Sequence, residues 1–275
     1  MSFQSKLQFN VITLFPQMVE DALKQGVVGQ AVTRGEVIVN TINPRDFATD
    51  GHKTVDDRPF GGGDGMVMLV DPLVASLESI RAKGQSVGHR VYLSAQGRLW
   101  RDDLARDWAS RHQVITLICG RYGGVDQRFL NAHVDEEISV GDYILSGGEL
   151  AALVVVDSLA RMQPGVLGNV QSKDQESFSD GLLEAPLFTR PQELSGARVP
   201  ASLLSGNHAK ISEFRRAISL TVTLEKRPDL LTKAHEIELG KAMRLLGSLP
   251  VEELKACGLG EQLIRNISQS AYTLR

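Results

Sequence analysis

The sequence predicts an α/β protein with a mainly parallel sheet, and three observations carry that prediction. Short apolar runs that read as buried strands alternate with stretches of helical periodicity. Two of the runs, residues 90–93 and 114–119, lead directly into glycine-bearing loops. A third loop, Ser139-Val-Gly-Asp-Tyr-Ile-Leu-Ser-Gly-Gly-Glu, feeds an apolar helix. In an open parallel sheet, loops at the carboxyl ends of neighbouring strands converge on one crevice where ligands bind, so three such loops predict a single site.

In chain order, residues 7–15 and 37–42 read as strands joined by a helical segment over 17–33. This β-α-β start would give an open, doubly wound layout through right-handed crossovers. The run 90–93 precedes Ser94-Ala95-Gln96-Gly97, and 114–119 precedes Gly120-Arg121-Tyr122-Gly123-Gly124. In the third loop, Ser146 and Glu149 have the spacing of a capping box, which would start a helix over 150–162. Its Ala-Ala-Leu-Val-Val-Val body predicts burial nearly all round, and Pro164-Gly165 ends it.

Composition changes after Gly168. Residues 169–181 hold two large apolar residues among acidic and hydroxyl groups and read as a mobile connector. The expected organisation is a first domain over 1–168, that connector, and a small helical C-terminal domain over 182–275. In the last, Asn207 can cap a helix with Ile211, Phe214 and Ile218 on one face and Arg215 and Arg216 beside it. Residues 235–246 and 251–267 read as two further helical stretches, and no internal repeat is visible.

At 275 residues, with 42% hydrophobic and 23% charged residues, the composition is that of an ordinary globular chain. No apolar run approaches the about 18 residues of a membrane span. Two cysteines, Cys119 and Cys257, and no apolar leader before Leu7 predict a cytoplasmic protein without disulfides. The six histidines show no zinc-type spacing with those cysteines. The net charge is −3, but residues 190–233 carry eight Lys or Arg against four Asp or Glu, or +4. That asymmetry fits either a phosphate-binding surface or a solvated helix face. Neither G-x-x-x-x-G-K-[ST] nor G-x-G-x-x-G occurs, and Gly61-Gly62-Gly63-Asp64-Gly65 lacks the following Lys-Ser/Thr.

Five motifs then point to one family: Thr54-Val-Asp-Asp-Arg-Pro-Phe-Gly-Gly-Gly, Cys119-Gly-Arg-Tyr, Asp135-Glu-Glu-Ile-Ser-Val-Gly-Asp-Tyr-Ile-Leu-Ser-Gly-Gly-Glu-Leu, Pro164-Gly-Val-Leu-Gly and Leu204-Ser-Gly-Asn-His-Ala. In unbroken order over about residues 7–230, they closely resemble the bacterial tRNA (guanine-37, N1)-methyltransferases, the TrmD family. The resemblance implies a SPOUT-type fold with a deep trefoil knot, a homodimer, and S-adenosylmethionine as cofactor. General topology rules argue against a knot, so no pattern in the residues foretells it. Matched residue by residue, the cofactor pocket is Tyr92, Leu93, Ser94, Gly120, Val140, Gly141, Asp142, Tyr143, Ile144, Leu145, Gly147 and Gly148. The resemblance places Asp56 and Ser172 near the target base and its 5′ neighbour. It sets His208, Lys210, Arg215 and Arg216 against the tRNA anticodon stem.

Guanine N1 carries a proton at neutral pH, so methylation there needs a base and a cation to steady charge growing on the adjacent carbonyl oxygen. The family match assigns the cation to Arg161, although Asp157 four residues earlier could simply pair with it. It assigns the base to the carboxylate before Ser-Phe, which is Glu176 where the family has aspartate; Asp174 is the alternative. Gly123 replaces a family glutamate, which leaves the ligands of a possible magnesium ion unassigned. Ala95, Ala151 and Asp64 stand where prolines are usual, removing fixed φ angles around the pocket. A SPOUT enzyme acting on another RNA site and a catalytically weak tRNA-binding protein are the competing readings.

Overall fold

The computed structural model describes residues 6–167 and 176–272, with side chains described through Gln269. The chain divides into two compact units, Met1–Val170 and Gln171–Arg275.

The first unit is built on a five-stranded sheet of β1 (Leu7–Ile12), β2 (Val37–Ile42), β5 (His89–Leu99), β6 (Val114–Cys119) and β7 (Glu136–Ser139). The order is β2-β1-β6-β5-β7 and every pairing is parallel. The predicted α/β class and parallel sheet are therefore present. Helices α1 (Pro16–Ala22), α2 (Gly26–Thr33), α4 (Asp102–Arg111) and α6 (Glu149–Ala160) contribute to a core with Phe9, Val11, Leu117 and Ile138. Helices α3 (Val70–Ala82) and α5 (Gln127–His133) close the second core, around Ile12, Tyr92 and Ile118. Sheet residues are apolar on both sides because both sides are covered, which is why the strands read as continuous apolar runs. A short hairpin, β3 (Asp56–Asp57) with β4 (Val67–Met68), carries the glycine-rich segment 61–65.

Several expected boundaries move. The helix expected over 17–33 is two helices, because Gly26 adopts φ +69 and turns the chain between them. Strand β5 does not stop at Leu93 but runs to Leu99, with its register against β7 shifting between Leu93 and Arg98. The segment 94–97 is thus an irregular strand extension rather than a free loop. Helix α6 is not buried all round: Leu150 and Val154 are 47% exposed on one side.

The second unit holds a two-stranded hairpin, β8 (Glu193–Leu194) and β9 (Ala197–Arg198), then α7 (Ala201–Leu204), α8 (His208–Lys226), α9 (Lys233–Gly247), α10 (Val251–Ala256) and α11 (Glu261–Tyr272). The Asn207 side chain accepts from the Lys210 backbone N–H at 3.2 Å, the expected cap. Phe214 and Ile218 are buried against Leu246, Ile264 and Ile267. The stretch 251–267 is divided at Gly258, φ +76.

Candidate active-site cleft

Three segments meet, as the sequence predicted: the irregular stretch of β5 after Leu93 and the loops at the carboxyl ends of β6 and β7. They enclose a cleft of about 390 Å³, inside the roughly 300–1,000 Å³ range of small-molecule sites. Of the twelve pocket residues matched to the family, Tyr92, Leu93, Ser94, Gly120, Val140, Gly141, Tyr143, Ile144, Leu145, Gly147 and Gly148 line it. Asp142 is exposed and is not among the lining residues.

The glycines allow main chain to approach main chain. Gly148 N–H donates to Gly120 C=O at 3.0 Å, and a Cβ on Gly148 would lie 2.7 Å from Cys119 Cα. Gly147 forms an antiparallel backbone bridge with Arg121 across the loops, and a Cβ on it would overlap the Arg121 side chain. Gly123 donates to Met66 C=O at 2.7 Å, and a side chain there would begin 3.0 Å from that oxygen. This contact ties the β3–β4 hairpin to the cleft rim. Asp56 lies half-buried at the base of that hairpin, opposite Met68.

Glu149 does not close the expected capping box with Ser146. No side chain caps α6; its N-cap is Gly148. Glu149 is instead 1% exposed, accepting from the Thr13 hydroxyl at 2.7 Å and from Arg121 Nε at 3.3 Å. Its Oε2 lies 2.9 Å from Arg121 Nη2, off the hydrogen-bond direction but within the field of the cation. Arg121 also donates to Ser146 C=O at 3.1 Å and stacks 4.3 Å over the Phe15 ring. This pair joins the second and third loops to β1. Motif spacing does not reveal this pair, although a glutamate opening an apolar helix is itself a signal that a charge is buried and must be paired.

The cleft shifts neighbouring acidities. Burial, then the Glu137 charge, pushes the Tyr92 phenol up, against a lowering hydrogen bond with Val125 backbone. Burial pushes the Cys119 thiol well up, with Glu149 adding to the rise and Arg121 opposing it.

Arg161 is half-buried immediately after α6, its N–H donating to Asp157 C=O at 3.1 Å. Glu176 is a half-buried residue of the second unit. Asp174 and Ser172 lie outside the described residues, as does most of the expected connector. His208, Lys210 and Arg215 are exposed on α8, whereas Arg216 is held by Asp180 and, at 2.9 Å, by Glu238. Among the described residues, no group of three His, Cys, Asp or Glu side chains is placed to hold a metal ion. No described helix is long and apolar enough to cross a membrane.

A glycine-bearing cleft at the ends of parallel strands is the usual position of a small-ligand site in an α/β protein. Comparison with known proteins narrows this class. A family model described as tRNA (guanine-1)-methyltransferase TrmD matches residues 7–233. The chain is 47% identical over 259 residues to a tRNA (guanine-N(1)-)-methyltransferase of Pseudoalteromonas translucida, covering 94% of this chain and 100% of the relative. It is 45% identical over 258 residues to the enzyme of that name from Pseudoalteromonas atlantica, covering 94% and 96%. With the one from Hahella chejuensis it shares 50% identity over 227 residues, covering 82% and 88%. The chain belongs to this methyltransferase family.

Proposed function

We propose that this protein methylates N1 of guanosine 37 in tRNAs that carry guanosine at position 36, using S-adenosylmethionine. The observation that carries the reading is the convergence of three family-matched, glycine-bearing segments on one cleft. Relatives named tRNA (guanine-N(1)-)-methyltransferase supply the reaction. The cleft residues fit the cofactor: close-packed glycine loops present main-chain N–H and C=O groups suited to adenine and ribose, and no unpaired Lys or Arg lines the wall. When bound, S-adenosylmethionine supplies an electrophilic methyl group.

The chain's own residues do the remaining work. Glu176, with Asp174 as the alternative, takes the N1 proton so that the ring nitrogen's electron pair becomes available. Arg161 faces the guanine carbonyl oxygen and steadies the charge that grows there. Exposed Lys210 and Arg215 hold anticodon-stem phosphates, and the target base leaves its stack to reach the cleft.

Two features support the finer reading of the fold. Strand β7 lies at the sheet edge beside β5, yet α6 begins against the end of β6 and reaches β1 through Thr13. The segment between must cross the end of β5, a crossing of the kind a trefoil knot requires. Leu150 and Val154 on α6, with Met18 and Val27 on the adjoining α1 and α2, are exposed apolar residues suited to a homodimer face.

Nucleoside mass spectrometry of tRNA incubated with the protein and S-adenosylmethionine tests the proposal. N1-methylguanosine is the expected product, abolished or strongly reduced in Glu176→Gln or Asp174→Asn. Its absence from tRNA treated with the wild-type protein overturns the assignment.

A further inference from the structure

Among the described residues, only two side chains lining the cleft carry a full charge, Arg121 and Glu137. Arg121 is neutralised by Glu149 behind the wall. Glu137 is different. It stands in register with Tyr92 on the neighbouring strand, so both side chains leave the sheet on the same face. The adjacent Glu136 points the other way, where it meets His89 at 3.4 Å and Arg98 at 3.7 Å. Glu137 makes no ion pair or side-chain hydrogen bond with any described residue, yet it is half-buried against the cleft. Among the described residues, its negative charge is therefore the uncompensated charge of the cleft.

We infer that Glu137 is the counter-charge of the cleft and selects a cationic nucleoside over its neutral counterpart. The inference rests on the cleft being the cofactor site, and it adds a residue and a selectivity to that reading. S-adenosylmethionine carries a sulfonium and S-adenosylhomocysteine a neutral thioether, so donor and product differ by one positive charge. A carboxylate in a partly dehydrated cleft attracts the first more than the second. The same charge loosens the product once the methyl group has left, because the bonding electron pair stays on sulfur and cancels its charge. The glycine loops set the shape of the ligand; Glu137 sets its charge.

Titration calorimetry on the full-length protein tests this with three ligands: S-adenosylmethionine, the cationic amine analogue sinefungin, and S-adenosylhomocysteine. The wild type is expected to bind the two cations more tightly than the thioether. In Glu137→Gln, both cations should weaken about 10-fold, the scale of one partly screened charge contact, while the thioether changes less than about 2-fold. Equal weakening of all three ligands, or none, overturns the inference and leaves the cofactor site standing. A wild type that binds none of the three removes the cofactor reading, and the role of Glu137 with it.

Discussion

Arg121 and Glu149 are paired across the junction of two cleft loops, Nη2 to Oε2 at 2.9 Å, with the Glu149 side chain 1% and the Arg121 side chain 17% exposed. Removing the cation leaves a carboxylate buried with the Thr13 hydroxyl as its remaining directed partner. Arg121→Met should therefore lower the unfolding free energy by about 3–5 kcal/mol. Glu149→Gln keeps a polar group for Thr13 and leaves a cation with some access to water, so its loss should be nearer 1–2 kcal/mol. Urea denaturation of both single variants and the double variant measures the coupling. A double variant as unstable as the sum of the two would mean that the pair is not coupled.

Gly148 has φ −78, a value open to any residue, so its requirement is space rather than backbone freedom. The atom a methyl group would meet, Cys119 Cα at 2.7 Å, belongs to the backbone of a central strand and cannot turn aside. Gly148→Ala should push the second and third loops apart. The expected outcome is a stability loss of about 1–3 kcal/mol with at least a roughly 10-fold loss of nucleoside affinity. Calorimetry and denaturation on the same preparation check the two together.

Much of this arrangement was legible in the residues, and the exceptions have physical causes. Strands β2 and β6 are read to the residue because both faces of the sheet are covered, leaving continuous apolar runs. Strand β7 escaped notice because Glu-Glu-Ile-Ser is short and half polar, its glutamates pointing to opposite faces of an edge strand. The joined helices predicted over 17–33 and 251–267 each contain the glycine that divides them, but helical periodicity on either side concealed the break. Glu149 was assigned to its own helix by spacing, whereas its partners, Thr13 and Arg121, are 136 and 28 residues away. Local pattern carries no information about such distant partners, and Glu137 was missed for a related reason: nothing in the sequence says which of two adjacent glutamates faces a cleft.

At the opposite, amino-terminal end of β5, His89 and His112 stack with ring centroids 4.3 Å apart and planes 7° from parallel, against the edge of Trp108. Burial lowers the pKa of His112, with His89 and Arg111 lowering it further while Glu136 and Asp135 oppose them. A histidine held below its unfolded value contributes stability that is fully present above about pH 6.5 and is lost as pH falls toward the folded value. The urea midpoint should therefore begin to fall below about pH 6.5. His112→Gln should flatten that part of the profile while leaving the acid limb from carboxylates such as Asp135, which the Arg90 hydrogen bond lowers. An unchanged slope in the variant would assign the effect to other groups.

Both cysteines are buried, and their thiols are held protonated by different degrees of the same cause. Burial pushes Cys257 up to about 11, with Glu253 adding to it, and pushes Cys119 well above its ordinary range. The thiolate is the reacting species, so neither residue should react with a disulfide reagent such as DTNB in the native protein at pH 8. After unfolding in urea, two thiols per chain should titrate. The Arg121→Met variant sharpens the test. It removes the cation that favours the Cys119 thiolate and leaves Glu149 charged beside it. Its native-state labelling can therefore rise only through opening of the loops, and the rise should follow the loss of stability measured by urea. Fast labelling of Cys119 in the intact wild type would show that the end of β6 is open to solvent, contrary to the packing of Gly148 against it.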